Sequence, residues 1–383
     1  MAASTAAGGR LALEVFEPPD GGVPEHALLL ALGLRDRGFE VELVGPRDSQ
    51  VEARASEAGI RLHTLAFRRD YRHPWDDARA GLELRRLVQA RRPGIVHCHA
   101  SKAGAIGRAA LAGTGTRTIY TPHCFGFVGE VSRARQLLVS RTERALARLS
   151  AKIVCVCEAE LAVARGNRIG TPEQLAVLRY GVPEADHQSL ADPRLSELRQ
   201  GGRLFANIAR LRTQKRQDVF LEAARVALDR DERARIALIG NGPLAPELRA
   251  QAARLGLDRD ARFALLPFTP PVERYMSAID VFVLSSSWEA LPISLLEAQA
   301  WGVPQIATAV FGTPEIITPQ TGRLVAPRDP ADLAAAMLEL NGDEVDFEAM
   351  SEASRARHAE RFTLERMLSE TASLYEEVLS SPT

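Results

Sequence analysis

Short apolar runs alternate with longer amphipathic stretches along the first half of the chain. "LALEVFE" (11–17), "EVELVGP" (40–46), "GIVHCHA" (94–100), "TIYTPH" (118–123), "AKIVCVC" (151–157) and "LAVLRYGV" (175–182) have the length and residue types of strands. Between them, 25–37, 77–91 and 131–149 carry apolar residues at helical spacing. Strands alternating with helices predict βαβ units and a parallel sheet. The pattern breaks in "PEADHQSLADPRLSELRQGG", where two prolines, clustered charge and a glycine pair predict a linker over 184–202. It then restarts with "RLFANIA" (203–209), a helix near 217–229, "RIALIG" (235–240), "ARFALLPF" (261–268), "DVFVLSS" (280–286) and "PQIATAV" (304–310). The expectation is an α/β chain of two doubly wound parallel-sheet domains, 1–183 and 203–363. A last helix near 364–380 is free to pack on either. Ligands of such sheets bind beyond the carboxyl ends of the strands, so the two domains are expected to face a central cleft.

A chain of 383 residues, 46% hydrophobic, suits two domains better than one. Its 48 basic and 49 acidic residues give a net charge of -1, which excludes a nucleic-acid partner held by bulk electrostatics and makes any phosphate recognition local. Four cysteines lie in apolar runs and read as reduced core thiols. The start "MAASTAAGGR" has neither a basic segment nor an apolar core, and no window of about 18 uninterrupted apolar residues follows, so the expected location is cytoplasmic. Only Lys102, Lys152 and Lys215 are lysines. In an arginine-rich chain each surviving lysine hints at a place suited to a compact ammonium.

In "SSSWEALPISLLEAQAWG" Pro292 favours the first turn of a helix that ends near Trp301. Glu289 then precedes the helix, and Glu297 lies inside it, about 7 Å further along the axis. Free N–H groups near Ile293, Ser294 and Leu295 face an anion, with a carboxylate for a polyol at either end. The plainer alternative is a capping Glu289 and a surface Glu297. In "ANIARLRTQKRQD", Arg210 and Lys215 flank a strand-to-helix turn, suited to diphosphate or simply a solvated basic turn. Gly21 and Gly22 follow the first strand, permitting close ligand approach or a plain turn; the usual phosphate-loop spacings are absent. His97, His99, His123 and the neighbouring cysteines lack CxxC or HxxxH spacing, so no metal is expected there. His123, at a strand end, is the best general base or hydroxyl partner of this half. The helix within 131–152 is basic and amphipathic; a core-facing helix with a solvated face is the preferred reading, and contact with anionic lipid the other.

Taken in order, "GGVPEHALLLALGLRDRGFEV", "IVHCHASKAGAIGR", "IYTPHCFGF", "IARLRTQKRQDVFLEAA", "LIGNGPLAPEL", "WEALPISLLEAQAWGVPQIAT" and "FGTPEII" resemble the motifs of family 4 retaining glycosyltransferases. The resemblance implies the GT-B architecture, two Rossmann-like domains, with the last helix returning to the first. It implies that Arg210 and Lys215 grip a donor diphosphate, that Glu289 holds donor-sugar hydroxyls and that Glu297 binds the ribose. Backbone amides in the stretch from Leu291 through Pro292 and Ile293 to Ser294 would cap the phosphates, proline itself having no N–H to give. Gly21 and Gly22 would face donor and acceptor, and His123 would sit beside the sugar. The implied reaction moves a sugar from a UDP- or GDP-sugar to a glycan, lipid-linked or surface-polysaccharide acceptor, with no metal or cofactor. The segment containing Lys102 resembles one common in such polysaccharide enzymes. Tyr180, Ala290 and Phe311 depart from the family, which has Asn, Gly and Gly there. An epimerase or hydrolase of nucleotide sugars, or a non-catalytic binder, are the rival readings.

Overall fold

The structure, a computed structural model, describes residues 9–67, 73–188 and 190–381. The chain divides into two compact units. One holds the described residues up to Tyr180 together with those from Glu365 onward, and the other runs from Gly181 to Leu364.

The first unit is built on β1 (Leu11–Phe16), β2 (Glu40–Gly45), β3 (Leu62–Thr64), β4 (Ile95–His99), β5 (Arg117–Thr121), β6 (Lys152–Cys155) and β7 (Leu175–Val177). They pair in parallel in the order β3-β2-β1-β4-β5-β6-β7. The second unit holds β8 (Arg203–Ile208), β9 (Ala234–Ile239), β10 (Phe263–Leu266), β11 (Val281–Leu284), β12 (Gln305–Thr308) and β13 (Gly322–Val325), ordered β10-β9-β8-β11-β12-β13 and again parallel. Helices cover parallel sheets on both faces, so central strands such as β8 and β11 are buried nearly throughout, as their continuous apolar runs require. In each sheet the order reverses once, at β1/β4 and at β8/β11. Ligands of doubly wound sheets bind beyond the strand ends at such reversals.

Three features differ from the sequence reading. Strands β3 and β13 were not anticipated; both are three- or four-residue edge strands with half-exposed positions and no apolar run. The stretch 184–202, read as a linker, clusters with the second unit and contains a helix, Pro193–Leu198. Asp192 caps that helix through the Arg194 N–H and pairs with the guanidinium groups of Arg194 and Arg274 at 2.8 and 2.9 Å.

The last helix, Leu364–Ser380, lies against the first unit. Gly33 makes this docking possible, because a Cβ there would stand 2.1 Å from the Leu368 side chain. Ion pairs of Glu365 with Arg37 and Glu376 with Arg10 lie at the rim, where they add little. The buried Met367, Leu368, Leu374, Tyr375 and Val378 hold the helix. The four cysteines are free thiols, and burial pushes Cys98 up to about 12. Among the described residues no helix is long and apolar enough to cross a membrane.

Candidate active site

In the second unit the strand order reverses between β8 and β11. After β8 the chain passes Arg210 and turns through Thr213–Lys215 into the helix Gln217–Arg230, with Arg216 in the left-handed region at φ 48°. Ser285, just beyond β11, donates its hydroxyl to the carbonyls of Lys215 and Arg216 at 2.9 Å, and the Ser287 N–H bonds the Gln214 carbonyl at 2.8 Å. The two loops are therefore one hydrogen-bonded body. It aims Lys215 at Glu289: Nζ lies 2.5 Å from Oε1, which also accepts from Ser286 Oγ at 2.7 Å. Glu289 is only 6% exposed, so its charge is stabilised by these partners more than by water.

The helix Ile293–Ala300 begins next. Pro292 stands before the helix as its N-cap, with extended backbone (ψ 114°), rather than in its first turn. No side chain caps this start, so the first N–H groups, at Ile293 and Ser294, have no partner within the helix and carry the positive end of its dipole. Leu291 and Pro292 are buried and hold the turn, and Glu297 lies half-buried within the helix. The loop after β12 closes on the same place: the Gly312 N–H bonds the Ala290 carbonyl at 3.0 Å, and Phe311 takes φ 42°. That left-handed backbone is one glycine adopts without strain, which accounts for the family's glycine where this chain has Phe. A fourth loop was quoted in a motif but not assigned to the site. In "GNG", Gly240 approaches so closely that a Cβ would stand 2.1 Å from the Ala209 carbonyl, and the Asn241 carbonyl takes the Leu211 N–H at 2.9 Å.

In the first unit, Gly21 precedes the helix Gly22–Arg35 with φ 97° and also lacks a side-chain cap. Gln50 clamps it, accepting the Gly21 N–H at 2.9 Å and donating to the Gly21 carbonyl at 3.1 Å. His123 and Cys124 follow β5 with φ 53° and 88°. Glu160 holds this strained pair: one oxygen accepts the Cys124 N–H at 2.7 Å, the other the Val156 N–H at 2.8 Å. Burial raises Glu160 to about 7 despite those bonds.

The His123 ring does not stand alone. Its Nε2 lies 2.9 Å from His99 Nδ1, and its Nδ1 bonds the Tyr180 hydroxyl. His99 Nε2 lies 2.7 Å from Glu14, which also accepts from Tyr375 at 2.6 Å; Tyr375 meets His97 Nδ1 at 2.7 Å. His26, from the helix after Gly22, packs edge-on against His99, His123 and Tyr180. Burial lowers His26, His97 and His123 well below the usual histidine range, so these rings are neutral at neutral pH. Two triplets here, His26/His99/His123 and Glu14/His97/His99, have donor atoms within 4.8 Å of one another, close enough for a metal ion. Together with a bond between His97 Nε2 and the Thr121 hydroxyl at 2.7 Å, these hydrogen bonds engage the His97, His99 and His123 nitrogens and both Glu14 oxygens. The sequence signal for this cluster was Glu14 itself, a carboxylate in the middle of an apolar strand. Lys102 is buried in an ion pair with Asp77 at 2.8 Å.

Two family models match the chain in succession: residues 21–181 match the glycosyl transferase 4-like domain and residues 202–343 the glycosyl transferases group 1 domain. The chain belongs to the family 4 glycosyltransferases. It is 25% identical over 310 residues to the UDP-Gal:alpha-D-GlcNAc-diphosphoundecaprenol alpha-1,3-galactosyltransferase of Escherichia coli, covering 78% of this chain and 79% of that one. It is 29% identical over 316 residues to the D-inositol 3-phosphate glycosyltransferase of Streptomyces avermitilis, covering 74% and 66%. In fold it is similar to HepE of Anabaena in complex with UDP-glucose, with a TM-score of 0.79 and 18% identity over 96% of this chain and 99% of that one. The same holds for a glycosyltransferase from Rickettsia africae (TM-score 0.79, 17% identity, 97% and 99%). The fold of this glycosyltransferase is therefore GT-B, two parallel-sheet α/β domains.

Proposed function

We propose that this glycosyltransferase moves a sugar from a UDP-sugar to a hydroxyl of a lipid-linked or glycan acceptor in polysaccharide assembly, with retained anomeric configuration and no required metal. The observation that carries the reading is the Lys215–Glu289 pair beside the uncapped start of the helix Ile293–Ala300. Arg210, Lys215 and the N–H groups of Leu291, Ile293 and Ser294, set by the Pro292 turn, are assigned to the donor diphosphate, Glu289 to the donor-sugar hydroxyls and Glu297 to the ribose. In the first unit the Gly21 and Gly22 turn is assigned to donor and acceptor, and His123, its ring nitrogens held by His99 and Tyr180, to a place beside the sugar. The E. coli relative named for UDP-galactose and a diphosphoundecaprenol-linked acceptor supports uridine as the base and a lipid-linked acceptor.

In this mechanism negative charge grows on the departing diphosphate, and fixed cations with oriented N–H groups lower the barrier without reorganising at the moment of reaction. The leaving phosphate takes the acceptor's proton on the same face, so Glu289 orients the sugar and does not attack it. Diphosphate draws Lys215 from Glu289 and frees that carboxylate for sugar hydroxyls, which couples the two halves of donor recognition. A thermal-shift panel of UDP-, GDP- and ADP-sugars, each with and without chelator, tests this. Stabilisation by UDP-sugars that chelator leaves unchanged is expected. A shift that vanishes with chelator refutes metal independence.

We further propose that the helix Arg133–Ala147 rests on an anionic membrane surface. Leu137 and Leu138 are 56% and 68% exposed beside Arg133, Arg135, Arg141, Arg144 and Arg148, and only Glu143 and Ala147 of this helix are buried. That face suits lipid better than the solvated surface anticipated from the sequence.

A further inference from the structure

We propose that Thr308, on the strand beside the one that leads to Glu289, is a positioning residue. It aims Glu289 through Ser286, and so tunes recognition of the donor sugar apart from that of the nucleotide. The proposal rests on the assignment of Glu289 to the donor-sugar hydroxyls, and it follows from where three buried hydroxyl groups send their protons.

Glu289 stands three residues beyond Ser286, whose hydroxyl donates to Oε1 at 2.7 Å. A serine aims its hydroxyl only as well as its own backbone is held. The peptide joining Ser286 to Ser287 is held at both ends: its carbonyl accepts from Thr308 Oγ1 at 2.5 Å, and its N–H donates to the Gln214 carbonyl at 2.8 Å. Thr308 has one hydroxyl proton, and this bond uses it. Thr313 sets Thr308 in turn. Its hydroxyl donates to the Thr308 carbonyl at 2.6 Å, with the Val310 carbonyl further off at 2.9 Å, and accepts the Val310 N–H at 3.0 Å. The protons of Thr313, Thr308 and Ser286 thus all run one way, toward the carboxylate. The same loop returns beyond Glu289, where the Gly312 N–H bonds the Ala290 carbonyl at 3.0 Å. Residues 308–313 therefore bracket Glu289, before it through Ser286 and after it through Ala290.

Ser286, Thr308 and Thr313 are fully buried, so water does not replace a bond that any of them loses. Valine would fill the place of Thr308 with nearly the same shape, which isolates what the hydroxyl does. The clamp matters most once the donor arrives. In the empty site Lys215 Nζ at 2.5 Å and Ser286 Oγ at 2.7 Å both hold Oε1. When diphosphate draws the ammonium away, Ser286 is the partner that keeps Oε1 in place. Oε2, with Gln214 at a distant 3.5 Å, is then the oxygen presented to a sugar hydroxyl. The clamp acts on Glu289, so the sugar half of donor recognition depends on it and the nucleotide half does not.

The experiment is calorimetric titration of the full chain with UDP, UDP-galactose and UDP-glucose. The proteins are the wild type, Thr308→Val, Thr308→Ser, Ser286→Ala, Glu289→Gln and the double variant Thr308→Val with Ser286→Ala. Thr308→Val is expected to change the Kd of UDP less than about twofold and to weaken the better-bound sugar nucleotide about five- to tenfold relative to UDP, the worth of one hydrogen bond. Thr308→Ser, which keeps the hydroxyl, restores the wild-type ratio. Ser286→Ala loses at least as much as Thr308→Val, and the double variant loses no more than Ser286→Ala, because Thr308 acts through Ser286. A Thr308→Val protein with the wild-type ratio overturns the proposal. So does a loss shared equally by UDP, which is what general loosening of the fold would give. Where Thr308→Val does not fold, a wild-type ratio in Ser286→Ala overturns it instead. Glu289→Gln separates the two claims. A ratio that it leaves unchanged refutes the assignment of Glu289 to the sugar and removes the ground of the proposal. A ratio that collapses in Glu289→Gln and holds in Thr308→Val refutes the proposal alone.

Discussion

Replacing Lys215 with Met should destabilise the second unit and stop transfer by two separable effects. The substitution keeps the aliphatic stem and removes the ammonium 2.5 Å from Glu289. Glu289 retains Ser286 and a distant Gln214 at 3.5 Å as its polar partners in the same loops, and its side chain is 8% exposed. Stripping one member from a buried pair costs about 3–5 kcal/mol. Lys215 keeps 20% of its side chain exposed, so solvent screens part of this and about 2–3 kcal/mol is the working figure. For a unit of this size that lowers the melting midpoint by roughly 5–10 °C. Glu289→Gln removes the other charge, and the double variant should recover at least about 1 kcal/mol relative to the sum of the single effects, because neither charge is then left unmatched. Transfer behaves differently: both single variants and the double should lose on the order of a hundredfold in kcat, since each lacks a group used with the donor. Calorimetric melts with a four-way activity cycle make the measurement. Additive stabilities, or near-wild-type turnover in Lys215→Met, would refute the reasoning.

Other expectations follow from the same geometry. Glu160 has a folded pKa of about 7, raised from 4.5, so the folded state binds its proton more tightly than the unfolded one. Its contribution to stability, of order 3 kcal/mol, is fully present below pH 4.5 and lost as pH rises through 7; Glu160→Gln should flatten that part of the melting-temperature profile, and superimposable profiles would count against it. Gly240→Ala places a Cβ 2.1 Å from the Ala209 carbonyl. It should cost about 1–3 kcal/mol and raise the donor KM more than it lowers kcat, measured by denaturation and steady-state kinetics. Leu137→Ser with Leu138→Ser should cut co-sedimentation with phosphatidylglycerol vesicles several-fold and leave the melting temperature unchanged, because both side chains are exposed. Glu143→Gln should cost about 3 kcal/mol by denaturation, because Arg108, wholly buried at 2.6 Å from that carboxylate, loses its counter-charge.

Both sheets were legible because a parallel strand is buried on both faces and shows as an unbroken apolar run. Strands β3 and β13 sit at sheet edges, where Leu62, His63 and Arg323 are partly exposed and no such run exists. In the stretch read as a linker, "ADPRLSEL" carried a usable signal, Asp192 at the cap and Pro193 at the first helical position, which the surrounding charge and prolines obscured. At the site, Glu289 and Lys215 were legible as chemistry but not as partners, since 74 residues separate them and only the β8/β11 reversal brings them together. The cluster around His99 was half legible. His97, His99 and His123 lie close in sequence, whereas Glu14 and Tyr375 are 361 residues apart and meet because the last helix docks through Gly33. His123, read as a general base or hydroxyl partner, has both nitrogens engaged, one of them by Tyr180, which stands where the family has Asn.

The central claim is sugar transfer with retention from a nucleotide diphosphate sugar. Its most direct test is proton NMR of the product formed from UDP-α-sugars and a panel of polyprenyl-diphosphate-sugar acceptors, in the presence of chelator. The account predicts an α-linked product, read from the small anomeric coupling, formed only when an acceptor is present. A β-linked product, or free sugar or epimer released without any acceptor, would contradict it.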